Sequence, residues 1–185
     1  MLLAVVASAL VASGCGDDDS NTTTEQATTP TQTQTAPATP TTDAPKARKV
    51  TPSAGEANIN RKPKVPKGTG DPPTELVMQD LITGSGKRAK AGDMVTVQYV
   101  GVLFDNGKQF DASWQGSRPG PGFDFPLGAG QVIPGWDQGV AGMREGGRRK
   151  LIIPPELAYG SQGFPPDIPP NAALIFDIDL ESTDG

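Results

Sequence analysis

Between Gly16 and Gly70 the chain holds almost no large apolar side chain, Ile59 being the only large aliphatic residue there other than valine. A stretch built from Thr, Pro, Ala, Gln and Asp cannot bury enough surface to offset the entropy of ordering its backbone. It reads as a disordered tether. The apolar content is left to the two ends. Residues 2–12 are continuously small or aliphatic, and both Trp, both Tyr and all six Phe fall between residues 75 and 180. One globular domain over residues 71–185 follows. At roughly 115 residues it buries about 60–70% of its unfolded surface, enough for a core without disulfide or metal.

The residue inventory removes whole classes of chemistry. There is no histidine and a single cysteine, Cys15. An intrachain disulfide is impossible, and zinc sites and Ser-His or Cys-His nucleophile systems lack their residues. The formal net charge of −5 argues against nucleic acid as partner.

Residues 1–14 have the apolar run and small-residue end of a secretory signal and are too short to cross a bilayer as a helix. Their end, Val11-Ala12-Ser13-Gly14-Cys15, resembles the lipobox of bacterial lipoproteins, although Ala12 stands where Leu is commoner and no Lys or Arg precedes the apolar run. The resemblance implies a diacylglyceryl group on Cys15, which then becomes the mature N-terminus. Residues 15–70 would be a lipid-anchored tether with an end-to-end distance on the order of 40 Å. Its second half is basic, with Lys46, Arg48, Lys49, Arg61, Lys62, Lys64 and Lys67 against Glu56, and is read as solvated linker.

The domain reads as short strands and one helix. Glu75–Ile82 is a strand candidate. In Met94–Val100, residues 95, 97 and 99 share one face. Asp105-Asn106-Gly107-Lys108 signals a hairpin into Gln109-Phe110-Asp111, since Asn-Gly accepts the positive φ of a tight turn. Trp114–Gly122 is a Gly/Pro/Ser loop, and Phe123–Leu127 a short strand. Pro134 suits the first turn of a helix on which Trp136, Val140 and Met143 form one apolar face, kept short by Gly139, Gly142, Gly146 and Gly147. Arg148–Ile153 is a strand whose basic triplet is taken as its solvated start. Leu174–Leu180 closes the chain with 174, 176, 178 and 180 facing inward. The fold class is α+β, an antiparallel sheet with the helix packed on one face.

Seven blocks carry a family resemblance: Val97-Gln98-Tyr99-Val100-Gly101, Gly107 to Ser113, Val132-Ile133-Pro134-Gly135-Trp136, Gly139 to Met143, Leu157-Ala158-Tyr159-Gly160, Ile168 to Ala172, and Leu174-Ile175-Phe176-Asp177. Their order over residues 74–181 is similar to that of FKBP-type peptidyl-prolyl cis-trans isomerases. The resemblance implies a strongly curved antiparallel sheet wrapped on one short helix. It also implies an apolar site for proline lined by Tyr99, Phe110, Val132, Ile133, Trp136 and Phe176, with Trp136 as floor and Phe123 and Ile168 as wall. Tyr159 would offer its hydroxyl to one substrate carbonyl and Ile133 its backbone N–H to another, with Asp111 at the rim near Tyr99. Taken singly, each has a plainer role: the apolar residues as core, Tyr159 as a loop anchor, Asp111 as a turn-stabilising carboxylate.

The chemistry suits a chain without histidine or metal. Rotation about X–Pro faces a barrier of roughly 18–20 kcal/mol set by amide resonance, and a dry site penalises the planar, more polar ground state without any nucleophile. No cofactor is expected. Expected partners are proline-containing polypeptides, macrolide inhibitors of the rapamycin type, and a membrane reached through the lipid on Cys15. The domain is expected to be monomeric and to assist the folding of exported proteins from the outer face of the cell membrane. Two loops depart from the smallest family members. Trp114–Gly122 is longer, so Arg118 matches the family's basic residue there only loosely. Phe164, at the tip of the Pro-rich loop, reads as an exposed aromatic placed to meet the residue before proline. The loop from Tyr159 to Ile168 is too short for the inserted chaperone domain of some bacterial relatives.

Overall fold

The alternation that marks the strands also builds the sheet. A computed structural model describes residues 58–185; Cys15, the signal-like run and most of the tether lie outside them. Six strands, β1 (Val77–Ile82), β2 (Met94–Leu103), β3 (Gln109–Ala112), β4 (Phe123–Pro126), β5 (Gly147–Ile153) and β6 (Leu174–Thr183), form one curved sheet in the order β1-β5-β6-β2. The free edge of β2 is shared. β4 pairs with its first half, Val95 opposite Phe125, and β3 with its second, Gly101 opposite Asp111. Every pairing is antiparallel. The hairpin turn falls where Asn-Gly signals it, and Gly107 takes the positive φ of 73° while Asn106 Oδ1 accepts the Lys108 N–H.

The helix, α1 (Pro134–Val140), lies on the inner face against β5. It opens on Pro134, whose missing N–H would have gone unbonded in the first turn anyway. Gly139 was expected to shorten the helix; it also sets how closely the helix approaches the sheet. A Cβ there would lie 2.4 Å from Leu151 Cδ1, and one on Gly135 would lie 2.5 Å from Ile153 Cγ2. Both glycines therefore face the strand, and Trp136 and Val140 are carried into the core with no exposed surface. The inner core gathers Val95, Val97, Leu151, Leu174 and Ile178 around them, and Met143, just past the helix, joins it.

The outer face corrects two expectations. The basic triplet is not a solvated strand start. Arg148 has no exposed surface and donates from Nε and Nη2 to both carboxylate oxygens of Asp179, at 2.5 and 2.6 Å. Burial pushes the Asp179 carboxyl above its ordinary range, and the two bonds from Arg148 offset part of that. Two rungs along, on the same face, Lys150 faces Asp177 at 3.9 Å, while Arg149, on the inner face, bonds Asp80 at 2.6 Å.

The second correction concerns where the domain begins. A separate apolar layer of Val100, Val102, Phe104, Trp114, Ala173 and Ile175 covers the outer face, and Val65 packs onto it. Residues 61–68, expected to belong to the tether, form a strap across this layer. Arg148 Nη2 donates to the Arg61 carbonyl at 3.0 Å, Pro63 is buried, and the Gly68 N–H donates to the Phe104 carbonyl at 2.8 Å.

Candidate functional site

The inner face of β2 and β6 and the first turn of α1 bring one group of aromatic rings together. Trp136 is its centre. Tyr99, Phe123, Phe125 and Phe176 meet the indole with ring centroids at 5.1, 6.1, 5.7 and 5.2 Å, three of them edge-on at 77–88°. Edge-to-face packing of this kind directs the positive rim of one ring at the negative face of the next. Phe110 stands edge-on to Phe176 at 5.5 Å. The site is possible because Gly101, on the same face of β2, has no side chain: a Cβ there would lie 2.7 Å from both Phe110 and Phe176.

Tyr99, Trp136 and Phe176 are buried, whereas Phe110, Asp111, Phe123 and Tyr159 keep partial exposure. The cluster thus has a buried floor and a half-exposed rim. Val132 and Ile133, each 8% exposed, lead into the helix. Their approach is fixed by Asp137, whose two carboxylate oxygens accept the Gly128 and Gly130 N–H groups at 2.8 and 2.9 Å. Ile133 caps the helix with its carbonyl, accepting from Trp136 at 2.8 Å.

Asp111 organises the polar edge. Its Oδ2 accepts the Tyr99 hydroxyl at 2.8 Å and its Oδ1 the Ala112 N–H at 2.8 Å. Burial first, and then this carboxylate, hold the Tyr99 phenol protonated far above its ordinary value of 10.0; burial and the nearby Asp111 charge raise Tyr159 in the same direction. Ser113 joins this edge to the long 114–122 loop. Its Oγ accepts the Tyr99 N–H at 2.8 Å and donates to Gln98 Oε1 at 2.5 Å, and Gln98 Nε2 donates to the Gly120 carbonyl at 2.9 Å.

The Pro-rich loop closes on itself. The Phe164 and Ile168 N–H groups donate to each other's carbonyls at 2.8 and 2.9 Å, and Ile168 is buried. Phe164 is not the exposed aromatic expected at the tip. It is half-buried and lies on Tyr159 at 5.6 Å. Arg118 is exposed, and its backbone pairs with Gln115. One aromatic escaped the sequence reading: Phe125, 2% exposed, touches both Trp136 and Phe123. The pattern Phe123-Asp124-Phe125 puts both rings on one face of a strand, a signal that was available. Among the described residues no group of three or more His, Cys, Asp or Glu is gathered to hold a metal.

This arrangement of six antiparallel strands and one short helix is shared by known proteins. Residues 85–181 match the model of the FKBP-type peptidyl-prolyl cis-trans isomerase family. The chain is 52% identical over 120 residues to an FK506-binding protein of Streptomyces anulatus, covering 64% of this chain and 94% of that one. Among solved structures it is similar to AtFKBP13, with 40% identity, a TM-score of 0.53, and coverage of 60% of this chain and 94% of that one. FkpA from Escherichia coli also shares 40% identity, with a TM-score of 0.52; the match covers 68% of this chain and 52% of FkpA, so this chain spans about half of that protein. The chain belongs to the FKBP-type peptidyl-prolyl cis-trans isomerase family.

Proposed function

We propose that this domain isomerises X–Pro bonds of exported polypeptides, seating the prolyl ring in an apolar aromatic pocket between the half-exposed Phe110, Phe123 and Tyr159, with Trp136 beneath them as the buried base. One observation carries the reading: within the family-matched residues, four aromatic rings converge on a fully buried indole beside two polar hydrogens left for a ligand. The Ile133 N–H and the Tyr159 hydroxyl have no acceptor among the described residues. Each is a donor for a substrate carbonyl. Asp111 holds the Tyr99 hydroxyl, so that ring is a fixed wall.

In this reading the rings replace water around the amide. The planar ground state then loses solvation that the less dipolar twisted state does not need, and the Tyr159 and Ile133 donors hold the flanking carbonyls in place. No covalent step is required. Macrolides of the kind named in the Streptomyces relative would occupy the same place. A diacylglyceryl group on Cys15 would hold the protein on the outer face of the membrane, a reading supported by the Val11-Ala12-Ser13-Gly14-Cys15 sequence.

A protease-coupled assay on a proline-containing peptide tests the reaction. The native chain should accelerate isomerisation, and Tyr159→Phe, which removes one hydroxyl and keeps the ring, should lower kcat/KM roughly tenfold, the cost of about one hydrogen bond. Absence of acceleration by the native chain would overturn the reading. An unaffected Tyr159→Phe variant would remove Tyr159 from it.

A further inference from the structure

We propose that a cleft at the C-terminal end of α1, away from the aromatic cluster, binds a phosphate group through Arg88, Arg144 and Arg149. The cleft has a volume of about 100 Å3 and adjoins a second of about 170 Å3; Asp80, Arg88, Gly142 and Arg149 line both. By the same measure one water needs roughly 10–15 Å3. The space therefore admits a polyatomic ion.

Three arginines line the first cleft against one carboxylate, Asp80, which pairs with Arg149 at 2.6 Å and leaves Arg88 and Arg144 in excess, in a chain whose net charge is −5. The backbone brings them together. Arg88 and Arg144 are direct partners in an isolated antiparallel bridge, which turns both side chains to the same side. Like charges placed opposite each other destabilise such a pair. An anion between them would relieve the repulsion.

Each guanidinium is also held in position. Arg88 Nη1 donates to the Gly142 carbonyl at 3.0 Å and Arg144 Nη1 to the Gly86 carbonyl at 2.9 Å. Arg149 donates from Nε to Asp80 at 2.6 Å and from Nη1 to the Gly139 and Ala141 carbonyls at 2.8 and 3.2 Å, fixing the end of the helix. A guanidinium carries five N–H donors. Arg88 and Arg144 each spend one nitrogen on these anchors, so both keep donors for a ligand. A carboxylate is served by a single guanidinium fork, whereas two arginines with donors to spare, beside a third held by Asp80, suit a tetrahedral oxyanion with more oxygens. The chemistry is that of a phosphate, free or carried by a lipid headgroup.

The full chain with Cys15→Ser, which cannot be lipidated, is compared with the same chain carrying Arg88→Gln and Arg144→Gln. Both arginines are exposed, so folding should survive, and tryptophan emission checks it. Inorganic phosphate, titrated at constant ionic strength, should raise the Tm saturably, with the half-saturating concentration at least about tenfold higher in the double variant, as expected for two lost charge-assisted bonds. Vesicles of phosphatidylglycerol with phosphatidylcholine, against phosphatidylcholine alone, identify the source. Binding lost in the variant points to a lipid headgroup; a phosphate response without vesicle binding points to the free ion. Should the double variant unfold, Arg144→Gln alone serves in its place. Equal responses of parent and variant to both probes, or no response to either, would overturn the proposal.

Discussion

Tyr99 and Tyr159 are the only two tyrosines in the chain, and both belong to the aromatic cluster. Ultraviolet absorbance of phenolate therefore reads the site with no background. Burial raises both phenols above the 10.0 that holds once the chain unfolds. The folded state prefers the protonated form, so its contribution to stability is complete below about pH 10 and is lost as pH rises from there toward the folded values. The expected result is that the folded domain shows no phenolate step near pH 10. Its urea midpoint should fall above that pH, less steeply in Tyr99→Phe. A normal titration step in the folded protein would contradict the burial described here. Tyr99, Phe110, Asp111 and Trp136 were legible in the sequence because they sit in blocks whose order is specific. Arg148 was not. Beside Arg149 and Lys150 it reads as surface, and its burial depends on Asp179, 31 residues away, which no local pattern reveals.

Among the elements, the strap of residues 61–68 matters most for where the fold starts. Removing it would take the Arg61 carbonyl from Arg148, the Val65 side chain from the outer layer and the Gly68 N–H from Phe104. A chain beginning at Gly70 should be less stable than one beginning at Asn58 by about 2–4 kcal/mol, the sum of one partly buried valine and two hydrogen bonds. Urea midpoints compare the two, and equal midpoints would mean that the strap contributes nothing. The strands and helix were read close to their observed limits because periodicity reports them directly. The strap escaped because Pro63, Val65, Pro66 and Gly68 share the composition of the tether before them. A segment held by a few backbone bonds and one valine has no periodicity to detect. For the same reason Gly139 read only as a helix terminator: its contact with Leu151 exists only once α1 lies on β5.

For the whole molecule, the proposed lipid on Cys15 separates location from chemistry. One acyl chain holds a protein at a membrane only marginally, whereas two suffice. Cys15→Ser should therefore move the protein from the membrane fraction to the soluble one and leave its prolyl isomerase activity unchanged. Fractionation followed by the peptide assay checks both, and a variant that stays with the membrane would count against the diacylglyceryl anchor. The strap also decides how force enters the domain. A pull from the amino-terminal side reaches Arg61 first and then Gly68, before β1 begins at Val77. The Arg148–Arg61 and Gly68–Phe104 bonds take that load on the outer face. Trp136 and the rings around it lie on the other face, outside that load path, so tension applied at residues 58–68 would be borne without disturbing the aromatic cluster.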